Sequence, residues 1–194
     1  HFIPSGHDSE DLSNEPHTSN SSTLEDKYVA MLEECARASA NGTADLTDGY
    51  ELLDAVRADG VRPSLRIYNA LLLVCEEASR SGRASKADGE RIVELILDDN
   101  LRPDRDSHLR MLNIIAHGAN QTPPTAFLTD GFTWFASLRR NRMRPTKAVC
   151  DAFMRVYDNQ WPIVPERNEM VAGWYFMTDA QERFYQGNVQ LGIP

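Results

Sequence analysis

The sequence has few cysteines and no long apolar run. Its 194 residues include three cysteines, Cys35, Cys75 and Cys150, and none of them forms a Cys-x-x-Cys pair. Such a scattered, odd-numbered set argues against a disulfide framework or a zinc site, and it is typical of core thiols in a reducing compartment. No apolar stretch approaches the roughly 20 residues that a membrane-spanning helix needs. The sequence therefore predicts no membrane partner.

The sequence also lacks the motifs by which common enzymes are recognised. It contains no phosphate-cradling loop, no nucleophile elbow and no metal-ligand set. His108 and His117 lie nine residues apart, which does not place both on one metal. The paired acids Glu33-Glu34 and Glu76-Glu77 are interpreted as solvated helix faces. We therefore predict a protein that is not an enzyme and that uses no cofactor, metal or small-molecule substrate.

Positive charge is scarce. The chain has 20 Lys and Arg residues against 29 Asp and Glu residues, which gives a net charge of −9. That balance speaks against broad electrostatic attraction to a polyanion. One basic cluster stands out, formed by Arg139, Arg140, Arg142 and Arg144. It is read either as the solvated end of a helix, where cations are favourable, or as a phosphate contact, and the net charge favours the first reading.

The first 22 residues are rich in Ser, Asn, Asp and Glu and contain no Lys or Arg. Such a segment buries too little apolar surface to offset the entropy lost on ordering, so we predict an extended or disordered acidic tail over residues 1–22. The sequence begins with His1 and not with Met. We therefore expect a processed or truncated start, with any targeting peptide outside this sequence.

The sequence does contain an element that occurs three times. Each copy begins with Asp-Gly and ends fifteen residues later with Arg-Pro, running over residues 48–63, 88–103 and 130–145. A second element, Tyr-x-Ala-(Met/Leu)-Leu-x-x-Cys, begins at Tyr28 and again at Tyr68, with weaker copies from His108 and Cys150. The offsets are 40 and 42 residues, and self-similarity at such a period is the signature of stacked helical repeats.

The two elements predict a pair of antiparallel helices in each unit. Apolar residues recur at helical spacing in both of them. We predict Asp45 and Ser85 as N-caps of the second helix, whereas the third copy has Phe127 at this place. The second helices should end at Gly60, Asn100 and Arg142, since Gly and Asn tolerate the left-handed backbone of a helix end.

A glycine stands one residue into each second helix, at positions 49, 89 and 131. Glycine costs about 1 kcal/mol relative to alanine inside a helix, so its use in three copies needs a reason. We predict that the two helix backbones of a unit approach each other closely there, and that a Cβ would block this approach.

The sequence thus predicts an all-α fold, an α-solenoid of stacked antiparallel helix hairpins with units of about 40 residues. The repeats should occupy residues 23–160, with a first helix that starts at Thr23 because Thr23 and Asp26 have the spacing of a capping box. Residues 161–194 lack both elements, and we predict that they form capping helices and a tail.

The junction from Gly60 through Pro63 and Tyr68-Asn69 to Leu72 resembles the junction between pentatricopeptide repeats, which runs Gly-apolar-x-Pro-Asp/Ser and then Tyr-Asn-x-Leu-apolar. The junctions at Pro103 and Pro145 are similar. The resemblance covers about residues 23–160, with longer units than the family's usual ones, as in a divergent organellar member. It implies an α-solenoid found mostly in mitochondria and chloroplasts, and we expect the mitochondrial matrix.

Many members of that family bind single-stranded RNA, one base per repeat, through two side chains per unit. The resemblance assigns these places to Val29 with Ser64, Asn69 with Asp104, and Leu109 with Thr146. Only Asn69 and Asp104 match a base-reading pair of the family, one associated with uracil. The hypothetical RNA-binding residues are therefore Asn69, Asp104, Arg66, Arg105, Arg139 and Arg140.

Two functions follow from the resemblance. The first is a scaffold subunit of a mitochondrial ribonucleoprotein assembly, such as the mitochondrial ribosome, which holds protein subunits and also meets single-stranded or ribosomal RNA. The alternative is an independent single-stranded RNA-binding protein of organellar RNA processing, editing or stability. The acidic balance and the single base-reading pair favour the first.

Overall fold

The computed structural model describes residues 17–160, apart from the side chains of residues 17–22 and of residue 139. Within this range the chain forms seven α-helices and no β-strand, which confirms the predicted all-α fold class. The helices are α1 (His17–Ala40), α2 (Leu46–Ala58), α3 (Leu65–Arg80), α4 (Lys86–Asp98), α5 (Arg105–Ala119), α6 (Leu128–Arg140) and α7 (Lys147–Gln160). The predicted tail up to residue 16 and the predicted cap over residues 161–194 lie outside the described residues.

Helix α1 begins at His17, and the predicted start at Thr23 is wrong. The six residues from 17 to 22 are Ser-, Thr- and Asn-rich, and such residues are modest helix formers that favour caps. Once a helix has nucleated, however, each added residue gains a backbone hydrogen bond at little further cost. The segment from Thr23 onward buries Tyr28 and Leu32, and residues 17–22 extend the same helix at its N-terminal end.

The helices alternate between two layers. Helices α1, α3, α5 and α7 pack against one another in chain order and form the odd-numbered layer. Each of α2, α4 and α6 packs on the two odd-numbered helices that flank it in sequence. Among the described helices, no two even-numbered ones make comparable contact with each other. The odd-numbered layer is therefore the continuous one.

The hydrophobic core divides at α5. Met111 and Ile114 belong to a buried cluster built with α1 to α4, while Leu112 and Ile115 belong to a second cluster built with α6 and α7. Adjacent faces of one helix, about 100° apart, thus serve two clusters, and Trp134 packs on both of them. The three thiols are free and buried, as predicted for core cysteines.

Each even-numbered helix begins with the same hydrogen bond. An aspartate carboxylate accepts the backbone N–H three residues before it, from Asp45 to Asp48 at 2.7 Å, from Ser85 to Asp88 at 2.8 Å and from Phe127 to Asp130 at 2.8 Å. Asp45 and Ser85 are the N-caps of α2 and α4, as predicted. In the third copy, where Phe127 has no capping side chain, Asp130 still supplies the reciprocal bond.

The glycine after each of these aspartates faces the following odd-numbered helix. A Cβ would lie 2.7 Å from Leu71 Cδ1 if added to Gly49, 2.7 Å from Met111 Sδ if added to Gly89, and 3.0 Å from Val156 Cγ1 if added to Gly131. A Cβ would force these side chains to shift, so the predicted close packing at the three glycines is confirmed. The predicted reason is wrong, because the blocking atoms are side chains of the next odd-numbered helix and not the backbone within a unit.

The even-numbered helices end in a left-handed residue, as predicted. The φ angles are 71° at Gly60, 58° at Asn100 and 56° at Arg142. The next N–H then bonds back to a carbonyl of the last turn, from Val61 to Val56 at 3.1 Å, from Leu101 to Ile96 at 2.9 Å and from Met143 to Leu138 at 2.9 Å. This is the hydrogen-bond pattern that satisfies orphan carbonyls at a helix end.

The odd-numbered helices are finished by side chains from further along the chain. The Arg83 guanidinium donates to the carbonyl of Ser39 at the end of α1. Gln121 Nε2 donates to the carbonyl of Ser79 at 3.1 Å, and Gln160 Nε2 donates to that of Ala119 at 3.3 Å. The last carbonyls of a helix lack partners within it. Those of Ser39 and Ser79 also accept a backbone N–H from Gly42 and Gly82, so the side chains add a second hydrogen bond there.

Helices α1 and α3 each contain a tyrosine that donates a hydrogen bond to the C-cap residue of the next helix. Tyr28 Oη donates to Asp59 Oδ2 at 2.6 Å, and Tyr68 Oη donates to Asp99 Oδ2 at 2.5 Å. His108 holds the third place, and its Nε2 lies 2.7 Å from Ser137 Oγ. Each of these contacts ties an odd-numbered helix to the even-numbered helix that follows it.

Candidate nucleic-acid interface

The surface of the odd-numbered layer carries a groove of about 200 Å³ that crosses three helices. We call it the α1–α3–α5 groove. Its lining includes Val29 and Glu33 from α1, Arg66 and Asn69 from α3, and Asp106 and Arg110 from α5. Two predicted base-facing places, Val29 and Asn69, thus share one surface with the predicted site residue Arg66.

Asn69 and Asp104 lie side by side, but they bond each other. Asn69 Nδ2 donates to the two carboxylate oxygens of Asp104 at 3.2 and 3.4 Å. The Asn69 carbonyl oxygen accepts the hydroxyl of Ser107 at 2.7 Å. The nitrogen and the oxygen of the Asn69 amide are therefore both engaged within the protein, and a base edge would compete with these bonds.

Asp104 is also the N-cap of α5, and its carboxylate accepts the Ser107 N–H at 3.0 Å. Burial raises the pKa of Asp104, but hydrogen bonds from the Ser107 N–H, the Asn69 amide and the Ser107 hydroxyl outweigh it and lower the pKa below its usual value. Asp104 is therefore ionised at neutral pH and can only accept hydrogen bonds. Its position serves the start of α5 as well as the groove.

Arg66 is held by carboxylates of α1. Its Nη1 lies 2.8 Å from Asp26 Oδ1 and 3.8 Å from Glu25 Oε1. The hydrogen bond to Asp26 is the main cause that raises the pKa of Arg66. Ser64, another predicted base-facing residue, donates to Glu25 Oε1 at 2.6 Å. The polar groups at this end of the groove are thus matched within the protein.

Glu76 is buried, with a side chain only 5% exposed, and the predicted solvated face is wrong at this position. Its carboxylate accepts Arg110 Nη1 at 3.0 Å and Asn113 Nδ2 at 2.9 Å. Asn113 Oδ1 in turn accepts Arg155 Nη2 at 2.6 Å. The burial follows from the packing of α5 on α3, which periodicity within one helix does not reveal. This polar network joins α3, α5 and α7.

The predicted residues Arg105 and Arg140 lie on different layers of helices. Arg105 is exposed in the first turn of α5. Arg140 is exposed at the end of α6, which belongs to the even-numbered helices, and the side chain of Arg139 lies outside the described part of the chain. Another cation, Lys147 on α7, lies 2.5 Å from Asp151 Oδ2.

The two helical histidines serve separate structural contacts. His108 Nε2 lies beside Ser137 as described above, and His117 Nδ1 lies 2.8 Å from Ser79 Oγ. Burial is the main cause that lowers the pKa of both. Within the described range, no three side chains of His, Cys, Asp or Glu are placed to hold a metal ion.

Comparison of the chain with models of known protein families gives no match, and comparison with curated proteins gives none either. None of the helices in residues 17–160 is long and apolar enough to cross a membrane.

Proposed function

We propose that the chain is a non-enzymatic scaffold subunit of a mitochondrial ribonucleoprotein assembly, such as the mitochondrial ribosome, located in the matrix. In this proposal it is a divergent pentatricopeptide-repeat protein whose helices stack as a solenoid. The odd-numbered layer offers a surface mainly to protein subunits, and RNA of the same particle is a secondary contact.

Contacts that recur at the sequence period support a solenoid. Gly49, Gly89 and Gly131 each face the same two places on the next odd-numbered helix, which are Leu71 and Val74 on α3, Met111 and Ile114 on α5, and Phe153 and Val156 on α7. The bonds of Tyr28 and Tyr68 to a C-cap aspartate are likewise 40 residues apart. Among the described helices, the odd-numbered ones pack on one another, and no two even-numbered ones make comparable contact. A stack in which one layer of helices packs more closely than the other curves towards the closer layer, and solenoids bind partners on that inner side.

One observation carries the choice of a scaffold over an RNA reader. On the odd-numbered layer, Arg66, Arg110 and Lys147 each lie within 3.0 Å of a carboxylate oxygen of this chain. A phosphate contact uses cations that exchange counterions for phosphate, and each of these three would first have to give up a carboxylate of this chain. The net charge of −9 has the same effect at long range.

A specific observation favours the alternative, an independent single-stranded RNA-binding protein. Asn69 and Asp104 are adjacent, and Asn69 lines the α1–α3–α5 groove. Uracil offers one N–H donor and two carbonyl acceptors, which these two side chains could meet after giving up their mutual bond. This alternative applies to one repeat only, since Val29 and Leu109 offer a base edge no hydrogen bond.

The scaffold proposal is tested by purifying the tagged chain from mitochondria of its source cells. The chain should co-sediment with a multi-subunit particle in a glycerol gradient, and mass spectrometry should identify the same proteins in repeated purifications. Sedimentation of the chain as a free monomer would contradict the proposal.

Filter binding of the isolated chain to oligouridylate separates the two functions. A scaffold should bind weakly at low salt, with Asn69→Ala and the exposed-loop control Asn41→Ala giving the same affinity. The alternative predicts salt-sensitive binding that Asn69→Ala weakens about tenfold, as expected when a base-edge contact is lost.

A further inference from the structure

We infer that the α1–α3–α5 groove receives a single cationic side chain, lysine or arginine, from an extended segment of a protein partner. This inference rests on the proposed scaffold function and specifies the chemistry of its partner. Three properties of the groove carry it: its size, its apolar floor and the state of its charged groups.

The size of the groove fits one long side chain. Its volume is about 200 Å³, below the roughly 300–1,000 Å³ of pockets that enclose drug-sized ligands. Val29, Ala70 and Leu73 provide apolar lining, and Val29 and Leu73 are only partly buried. An apolar floor of this kind suits the methylene stem of lysine or arginine, which packs on apolar surface while its charged head stays polar.

The charged groups of the groove leave carboxylates available. Arg66 is bonded to Asp26, and Arg110 is bonded to Glu76. Glu33 is exposed, and its charge acts on Arg66 without a hydrogen bond among the described residues. Asp106 has a half-exposed side chain and lies 3.9 Å from Arg110 Nε, which is buried and makes no hydrogen bond within the described part of the chain. A cation entering between α1 and α5 therefore meets the carboxylates of Glu33 and Asp106, beside two arginines that already pair with Asp26 and Glu76.

The test is an NMR titration of the full chain labelled with nitrogen-15. The probe is the blocked peptide Ser-Leu-Arg-Leu-Ser, and its matched control carries Gln in place of Arg. The Arg peptide should shift amide signals around Glu33, Leu73 and Asp106, while the Gln peptide should leave them in place. Shifts that are equal for both peptides, or spread over the whole surface, would overturn the inference.

Variants locate the binding charge. Glu33→Gln combined with Asp106→Asn should weaken binding of the Arg peptide about fivefold, the usual effect of losing weak ion pairs. The matched pair Glu94→Gln and Asp98→Asn removes the same charge from exposed places on α4 and should leave the affinity unchanged. Equal weakening by both pairs would mean non-specific attraction and would overturn the inference. So would groove shifts caused by oligouridylate and abolished by Arg66→Gln.

The outcome can be told apart from that of the proposed function. A chain that co-sediments with a particle but shows no specific groove shifts leaves the scaffold function standing and overturns only this inference. A chain that binds the Arg peptide but joins no particle in mitochondria overturns the scaffold function.

Discussion

At the scale of the residue, three glycines allow neighbouring helices to pack closely, because glycine carries only a hydrogen atom in place of a side chain. Gly49, Gly89 and Gly131 allow each even-numbered helix to lie against the side chains of the next odd-numbered one. Glycine lowers the stability of a helix by about 1 kcal/mol relative to alanine, and it nevertheless occurs at three equivalent positions. The contacts described above show what that cost permits.

Gly89→Val tests this reading of the glycines. A Cβ alone would lie 2.7 Å from Met111 Sδ and 3.1 Å from Ile114 Cδ1, and valine adds two methyl groups. We expect the free energy of unfolding to fall by about 1–3 kcal/mol, the usual cost of overpacking a core. Urea denaturation followed by circular dichroism measures it.

The control is Ala87→Val, at an exposed position of the same helix. Helix propensity alone predicts the opposite order, since valine is a better helix former than glycine and a poorer one than alanine. If Ala87→Val destabilises the protein as much as Gly89→Val does, the close approach of α4 and α5 is not what the glycine serves.

At the scale of the element, a hydrogen bond from Tyr68 connects α3 to the C-cap of α4. Its hydroxyl donates to Asp99 and accepts from Arg57 Nη2 at 3.2 Å. Burial, and then the hydrogen bond to Asp99, raise the pKa of Tyr68 to about 12. Since an unfolded tyrosine titrates near pH 10, the folded state holds the proton more tightly. This stabilisation is present below about pH 10 and is lost as the pH rises towards 12.

Tyr68→Phe should therefore destabilise the protein at neutral pH and matter less at alkaline pH. We expect a loss of about 1–3 kcal/mol near pH 8, because the acceptor Asp99 is charged. By about pH 11 the free energies of unfolding of the variant and the natural chain should differ less in urea denaturation, because Tyr68 of the unfolded chain ionises above about pH 10.

Tyr50→Phe is the matched control for this experiment. The Tyr50 hydroxyl is buried and has no hydrogen-bond partner among the described atoms, so its removal should cost nothing or stabilise the fold slightly. A pH-independent effect of Tyr68→Phe, or an equal loss for both variants, would contradict the assigned role.

The sequence was a good guide to the elements and a poor one to what lies between them. Helix starts at Asp45 and Ser85 and ends at Gly60 and Asn100 follow from local chemistry, because a cap and its partner are a few residues apart. The burial of Glu76 depends on a helix some 34 residues away, and no local pattern encodes it. The same holds for Asn69 and Asp104. The sequence pairs these two residues correctly, but it does not reveal that they hydrogen-bond each other.

At the scale of the whole molecule, the split of the core at α5 predicts unequal local stability. In a structure where each unit contacts only its neighbours, damage to one end need not reach the other. Phe153 is the natural probe, since it is 1% exposed and packs on Phe132 and Phe135 with ring centroids 5.0 and 5.1 Å away.

Phe153→Ala should lower the protection of α6 and α7 amides against hydrogen exchange. The expected loss is about 3–5 kcal/mol of local stability, the usual cost of truncating a buried phenylalanine. Amides of α1 to α3 should keep most of their protection. Leu71→Ala in the first cluster should give the reverse pattern, and equal loss in all helices for either variant would mean one indivisible core.

The side chains that finish the odd-numbered helices also bear on synthesis. The carbonyl of Ser39 accepts a hydrogen bond from Arg83, that of Ser79 from Gln121 and that of Ala119 from Gln160, over separations of 44, 42 and 41 residues. A chain that leaves the ribosome amino-terminus first therefore gains each of these side-chain bonds only after a further hairpin has emerged. Folding during translation should then proceed in steps, in which each new hairpin stabilises the preceding one by a hydrogen bond to its odd-numbered helix.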